Sequence, residues 1–205
     1  MRNMAQHIEN FLRSHFDVLS IDYVWAAQNY PSADGLPYVG TTVREPNTFI
    51  ATGFAADGLV WGTLAAKVIA DAITGSPNTH ADLLNPKRFT PVASARNFMK
   101  ANAAVSRYLL KDYLFYGQVK SLAEVAAGEG KTLKVEGEKV AAYRDETGTL
   151  SVVSSVCPHM GCIVHWNGIE KSWDCPCHGS RFAVDGTLLE GPAQANLATP
   201  LGSRP

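Results

Sequence analysis

Two short segments rich in cysteine and histidine constrain this chain of 205 residues more than any other feature. The first reads Cys-Pro-His-Met-Gly-Cys over residues 157–162, and the second reads Cys-Pro-Cys-His-Gly-Ser over residues 175–180. These segments contain all four cysteines of the chain. A disulfide framework usually spreads its cysteines along the sequence, so a cluster of cysteines beside histidines indicates a metal site instead.

Each segment places one thiolate and one imidazole where the two can converge on a metal. Two cysteines on one iron and two histidines on the other form a [2Fe–2S] site of the Rieske type. Neutral imidazole leaves less negative charge on such a cluster than thiolate does, which raises its reduction potential into a range of roughly −150 to +300 mV. The sequence therefore predicts one-electron transfer. The predicted ligands are Cys157, His159, Cys175 and His178.

A zinc site is the alternative explanation, because cysteine and histidine at close spacing also bind Zn²⁺. Zinc motifs rarely pair a Cys-x-His segment with a Cys-x-Cys-His segment, so we prefer the iron–sulfur cluster. Cys162 and Cys177 are then left over and could join the two segments as a disulfide, although disulfides are rare in cytosolic proteins. His165 lies in a strand-like stretch outside both segments, where we expect an ordinary β-domain histidine.

The two halves of the chain differ in pattern. Up to about residue 116 strand-like segments, such as DYVWA at residues 22–26, mix with helical ones. The apolar residues of Gly58–Thr74 recur at helical spacing, with Asp57 as a plausible N-cap and Gly75 as a plausible left-handed end. After Gly117, short alternating runs separated by glycine and acidic turns predict an antiparallel β domain. We therefore expect an α+β chain.

Charge and hydropathy exclude several classes of function. The net charge of −1 at pH 7 gives no field that favours nucleic acid or an anionic membrane. No apolar run approaches the roughly 20 residues of a membrane-spanning helix. Residues 1–20 are polar and amphipathic and lack the apolar region and cleavage site of a signal peptide. We expect a cytoplasmic protein that binds neither nucleic acid nor membrane.

From Tyr143 onward the sequence resembles the Rieske domain at the C-terminus of certain FAD-dependent oxidoreductases of the D-amino-acid-oxidase-like superfamily. The resemblance covers both cysteine-containing segments, the stretch between them, and Gly191-Pro192-Ala193. In Rieske proteins this last stretch resembles the proline loop that covers the cluster. The resemblance also implies that Ser180 donates a hydrogen bond to a cluster sulfur.

The first half is similar to the C-terminal part of the flavin domain of the same family. The matching stretches are WAAQNY at residues 25–30, DGLPYVG at residues 34–40 and ATGFAADG at residues 51–58. In the family this glycine-rich loop and the following helix N-terminus approach the flavin. Backbone N–H groups and the helix dipole there stabilise negative charge on the reduced ring. The implied flavin contacts are Gly53, Phe54, Asp57 and Gly58, and no catalytic residue is identified.

The chain also departs from this family. The G-x-G-x-x-G motif that opens the flavin domain is missing from the sequence, and little sequence follows the proline loop. We therefore expect residues 1–112 to be an incomplete FAD-dependent oxidoreductase domain. Residues 113–205 are expected to form a Rieske domain that is truncated at its C-terminus. The same absence predicts that the chain alone does not retain FAD, although the family binds it.

Two functions fit the sequence. In the first, the cluster accepts single electrons within an FAD-dependent oxidoreductase that oxidises a small amine or amino acid. In the second, the chain is a non-enzymatic, ferredoxin-like Rieske carrier with a vestigial flavin domain. The expected partners are a redox partner protein or a flavin domain, the small amine or amino-acid substrate, and a second copy of the chain.

Overall fold

The computed structural model describes residues 2–200. Residue 1 and residues 201–205, at the ends of the two predicted domains, lie outside the described residues. Contacts within the described part divide it into a first unit of residues 2–26 and 104–200 and a second unit of residues 27–103. Helices are combined with antiparallel sheets, and the expected α+β class is confirmed.

The described residues form four α-helices, one 3₁₀ helix and nine strands. A short 3₁₀ helix at Leu122–Glu124 precedes the strands of the C-terminal part. The helices are α1 (Arg2–His15), α2 (Gly58–Thr74), α3 (Ala81–Leu84) and α4 (Pro91–Leu114). The strands are β1 (Tyr38–Thr41), β2 (Phe49–Thr52), β3 (Gly130–Val135), β4 (Glu138–Arg144), β5 (Leu150–Ser154), β6 (His165–Asn167), β7 (Ser172–Asp174), β8 (Arg181–Phe182) and β9 (Leu188–Glu190).

The second unit packs α2 and α3 against the antiparallel hairpin of β1 and β2. Helix α2 has the predicted bounds, and Gly75 ends it in the left-handed conformation with φ of 71°. Asp57 precedes the helix as predicted, but its side chain makes no capping hydrogen bond. The buried core of this unit consists of Val39, Ala65, Val68 and Leu84.

The first unit contains a three-stranded sheet, β3–β4–β5, and a four-stranded sheet, β6–β7–β8–β9. The turn between β3 and β4 has positive φ at both Glu136 and Gly137, as the favoured two-residue hairpins require. Trp173 on β7 pairs with Trp166 on β6 and with Phe182 on β8. Trp173 and Phe182 are fully buried in the same core as the cysteines of residues 157–162 and 175–180. This core therefore positions the candidate metal site.

None of the helices between residues 2 and 200 combines the length and the apolar character needed to cross a membrane. The strand expected at residues 22–26 is not formed, and this stretch has no regular secondary structure.

Candidate metal centre

The first loop, residues 157–162, is closed by its own backbone. The N–H of Cys157 donates to the carbonyl of Cys162 at 2.8 Å, and the N–H of Gly161 donates to the carbonyl of Cys157 at 2.9 Å. Gly161 has φ of 74°, a conformation that glycine adopts without a steric penalty. Val156 and Ile163 form a β-bridge at the base of the loop. The glycine and the bridge thus produce a tight turn after β5.

The second loop, residues 175–180, follows the same design between β7 and β8. The N–H of Cys175 donates to the carbonyl of Ser180 at 2.7 Å, and the N–H of Gly179 donates to the carbonyl of Cys175 at 3.0 Å. Gly179 has φ of 82°. Each loop therefore presents its first cysteine and its histidine from a backbone turn of the same form.

The structure brings the predicted ligands together at the ends of these loops. Cys157 and Cys175 are buried free thiols, 1% and 4% exposed, and their sulfur atoms are hydrogen-bonded to each other. The ring centroids of His159 and His178 lie 4.9 Å apart. His159 is exposed, whereas His178 is half-buried. The site thus runs from two thiols in the core to an imidazole at the surface.

An iron–sulfur cluster fits these residues. Nδ1 of His178 is buried and has no hydrogen-bond partner among residues 2–200. A buried polar nitrogen without a partner is unfavourable unless a ligand occupies it. Two thiol sulfurs and two imidazole nitrogens are also the donor set of a Rieske cluster. The site therefore supplies the two sulfur and two nitrogen ligands that such a cluster requires.

The electrostatics favour the metal-binding protonation states of Cys157 and His178, whereas the hydrogen bond to Cys157 and burial raise the pKa of the Cys175 thiol. A hydrogen bond from the thiol of Cys175 lowers the pKa of Cys157 to about 6, although burial opposes the shift. The backbone N–H of His159 and the hydroxyl of Ser180 lower that pKa further. The pKa of His178 is lowered, mainly by burial and also by the charge of His159. A thiolate and a neutral imidazole are the forms that coordinate metals.

The two remaining cysteines join the loops. Cys162 and Cys177 form a disulfide with a Cα–Cα distance of 6.5 Å. The sulfur atoms of Cys162, Cys175 and Cys177 all lie within 4.8 Å of one another. Because the disulfide occupies Cys162 and Cys177, only Cys175 of this group is available as a thiolate. The pairing leaves Cys157 and Cys175 as the free cysteines.

Ser180 connects the second loop to the proline loop at residues 191–193. Its side chain is fully buried, and its hydroxyl oxygen accepts the backbone N–H of Ala193 at 2.9 Å. The same hydroxyl is hydrogen-bonded to the sulfur of Cys157. A single side chain thus contacts both a predicted ligand and the segment expected to cover the cluster.

Residues at the end of α4 and just after it make contacts that were not predicted from the sequence. Tyr113 donates its hydroxyl hydrogen to the carbonyl of Gly161 at 2.9 Å. Asp112 lies 2.8 Å from Nε2 of His165, the histidine expected to be an ordinary residue of the β domain. Tyr116 is half-buried and contacts Ser155 at 2.8 Å. No motif marks these residues, and Tyr116 lies beyond the end of α4 at Leu114, so helical spacing does not predict its contact either.

The residues with implied flavin contacts lie together in the second unit. Gly53 follows β2 with φ of 80°, and Phe54 packs partly buried against the core of this unit. Asp57 and Gly58 are exposed at the beginning of α2. The side chain of Asp57 makes no capping hydrogen bond. The backbone N–H groups in the first turn of α2 therefore remain available to a ligand.

Comparison with known protein families separates the two parts of the chain. The family of the Rieske [2Fe-2S] domain matches residues 116–200, and the family of the FAD dependent oxidoreductase matches residues 2–72. The chain carries a Rieske [2Fe–2S] domain after a segment of an FAD-dependent oxidoreductase domain. The cofactor of this Rieske domain is a [2Fe–2S] cluster, a one-electron carrier.

Known relatives align with different lengths of this chain. It is 36% identical over 194 residues to YhfW, a Rieske 2Fe-2S iron-sulfur protein of Bacillus subtilis, a match that covers 93% of this chain and 38% of YhfW. It is 39% identical over 79 residues to the cytochrome b6-f complex iron-sulfur subunit of Trichodesmium erythraeum, covering 38% of this chain and 40% of that subunit. The chain thus spans about two fifths of the length of these curated relatives.

A solved structure is similar to about a third of the chain. The plasma membrane Rieske protein PetC3 of Synechocystis PCC 6803 is 34% identical, with 34% of this chain and 72% of that chain covered and a TM-score of 0.32.

Proposed function

We propose that Cys157, Cys175, His159 and His178 hold the cluster, and that the chain transfers single electrons within an FAD-dependent oxidoreductase acting on a small amine or amino acid. One observation carries the ligand assignment. The two loops bring buried thiols and a pair of contacting imidazoles to one place. The unpartnered Nδ1 of His178 supports it, because coordination would satisfy that atom.

The four proposed ligands differ in how far they are exposed to solvent. When bound, the cluster supplies a one-electron couple at a comparatively high potential. Cys157 and Cys175 hold their sulfurs in the core, where Trp173 and Phe182 exclude water. His159 brings the ligand set to the surface, with the exposed side chain of Met160 beside it. A redox partner can therefore approach at His159.

The second unit supports a link to flavin chemistry. The match to the FAD-dependent oxidoreductase family covers residues 27–72 of this unit, and the alignment with YhfW covers 93% of the whole chain. Helix α2 buries Ala65 and Val68 but leaves Leu59 91% and Val60 70% exposed. Apolar side chains exposed to this extent along one helix are typical of a surface that packs against further protein. We propose that the remainder of a flavin domain covers them and that Gly53, Phe54, Asp57 and Gly58 then face the flavin.

The alternative is a Rieske carrier that holds no flavin, a function that the match of residues 116–200 to the Rieske [2Fe-2S] domain supports equally well. Under either function we place the protein in the cytoplasm, a prediction that cell fractionation tests.

Co-expression distinguishes the two functions. The 205-residue chain is expressed alone and together with the part of YhfW that lies outside the alignment, and iron, sulfide and FAD are measured in each preparation. We expect a cluster in both preparations, but FAD and reduction of the cluster by amines or amino acids only in the second. The His178→Ala variant is the control, because it should lose the cluster and leave flavin reduction intact. A co-expressed complex that contains FAD but whose cluster no amine or amino acid reduces would favour the carrier.

A further inference from the structure

The first loop is fastened to the protein by a side chain from a helix distant in sequence. Tyr113, in the last turn of α4, donates its hydroxyl hydrogen to the carbonyl oxygen of Gly161 at 2.9 Å. Gly161 lies between His159 and Cys162 and also donates its own N–H to the carbonyl of Cys157. The tyrosine therefore contacts the residue on which the turn of the first loop depends.

The ring of Tyr113 is itself held in place from the opposite side. Nζ of Lys139, on β4, lies 3.2 Å from the ring centroid, a cation–π contact. The backbone carbonyl of Lys139 accepts the N–H of Ser155 at 3.0 Å, two residues before Cys157. Tyr113 is thus fixed by the same strand that supports the approach to the first loop.

The residues on either side of Tyr113 anchor the end of α4. The carboxylate of Asp112 lies 2.8 Å from Nε2 of His165 on β6. The hydroxyl of Tyr116 contacts the carbonyls of Leu133 and Val140 at 2.9 and 3.0 Å. Asp112 and Tyr116 thus contact strands of the β domain. Among the described contacts of these three residues, only that of Tyr113 reaches the first loop. The last turn of α4 therefore gives the Tyr113 hydroxyl a fixed position.

We propose that Tyr113 is a positioning residue of the cluster site, which holds the first loop in the conformation that presents Cys157 and His159. This rests on the proposed assignment of those two residues as ligands. The hydroxyl acts through the peptide group of Gly161 and touches neither the thiol nor the imidazole. Removing it releases the peptide group of Gly161, while the disulfide of the neighbouring Cys162 still joins the first loop to the second.

The full chain with Tyr113→Phe tests the proposal, since phenylalanine keeps the ring beside Lys139 and removes only the hydroxyl. Tyr108→Phe is the matched control. Tyr108 lies on the same helix, is 39% exposed against 48% for Tyr113, and packs its ring against His165, outside both loops. The measurements are the EPR spectrum and midpoint potential of the reduced protein, and the rate of iron release to a chelator.

We expect Tyr113→Phe to change the EPR spectrum and the midpoint potential and to speed iron release about fivefold, the ratio expected for one lost hydrogen bond. Tyr108→Phe should match the wild type. A Tyr113→Phe protein that folds by circular dichroism but holds no cluster also supports the proposal. Identical spectra, potentials and release rates for both variants overturn it, and so does global unfolding of Tyr113→Phe. A wild-type protein without a Rieske spectrum refutes the ligand assignment instead.

Discussion

The imidazole rings of His159 and His178 meet edge to face, with centroids 4.9 Å apart and planes inclined by 88°. Each ring comes from a different loop, so the pair exists only in the folded chain. The two histidines are not equivalent, because His159 is exposed and Nδ1 of His178 is buried without a partner among the described residues. This asymmetry gives the site one imidazole that meets solvent and one enclosed by protein.

Replacing either imidazole should destroy the Rieske centre. We expect His159→Ala and His178→Ala each to abolish the Rieske EPR signal and to lower the iron content, because a cluster iron loses a nitrogen ligand. His80→Ala is the control and should keep the signal, since that exposed histidine precedes α3 in the second unit and its side chain makes no capping hydrogen bond. Iron analysis and EPR of the purified proteins measure the result. A normal Rieske signal in either variant would contradict the ligand assignment.

The disulfide between Cys162 and Cys177 should contribute to stability. It spans 15 residues, and a loop of that length corresponds to about 3 kcal/mol in the chain-entropy model. We expect the double variant Cys162→Ser, Cys177→Ser to lose about that much free energy of unfolding, measured by chemical denaturation. Adding a thiol reductant is the control, because it should destabilise the wild type and leave the double variant unchanged. Equal stability of the two oxidised proteins would show that the bridge adds nothing.

The local parts of this fold could be predicted from the sequence. Helix α2 follows from its apolar spacing, and its left-handed end follows from Gly75. The candidate ligands stand out because each loop carries its thiol and imidazole within a few residues. Such features depend on neighbours in the sequence, and a single sequence displays them.

The parts that depend on tertiary contacts could not be predicted. Residues 22–26 have the β-branched and aromatic composition of a strand, yet a strand also needs a partner to pair with. Here the backbone N–H of Ala26 instead donates to the carboxylate of Glu170. The hydrogen bond from Tyr113 to Gly161 joins residues 48 positions apart, a separation that no periodicity reveals.

A buried ion pair should hold the second unit together. Asp34 and Arg88 form two hydrogen bonds of 2.7 and 2.8 Å, and their side chains are 3% and 8% exposed. Asp34→Asn should lower the free energy of unfolding by about 3 kcal/mol, because it leaves the buried guanidinium without its counter-charge. Lys67→Ala is the control and should cost less than about 1 kcal/mol, since Lys67 is 70% exposed in its pair with Asp71. Denaturant titration measures both, and equal losses would contradict the prediction.

The same ion pair predicts a dependence of stability on pH. Hydrogen bonds from Arg88 hold the pKa of Asp34 well below its usual value of about 3.9. The unfolded chain therefore takes up the proton first, and the stabilisation is complete above about pH 5 and is lost as the pH falls further. The difference in unfolding free energy between the wild type and Asp34→Asn should shrink between about pH 6 and pH 3. A constant difference across this range would show that the carboxylate charge is not the cause.

The buried hydroxyl of Ser180 should raise the reduction potential. Its hydrogen bond to the sulfur of Cys157 favours the reduced and more negative form of a cluster held there. Removing it in Ser180→Ala should lower the midpoint potential by about 60 mV, which corresponds to about 1.4 kcal/mol for a one-electron couple. Ser155→Ala is the matched control, because Ser155 is equally buried but its hydroxyl contacts Tyr116. Redox titration followed by EPR measures both variants. If Ser180→Ala and Ser155→Ala have the same potential, the Ser180 hydroxyl does not tune the cluster and serves only to hold the N–H of Ala193.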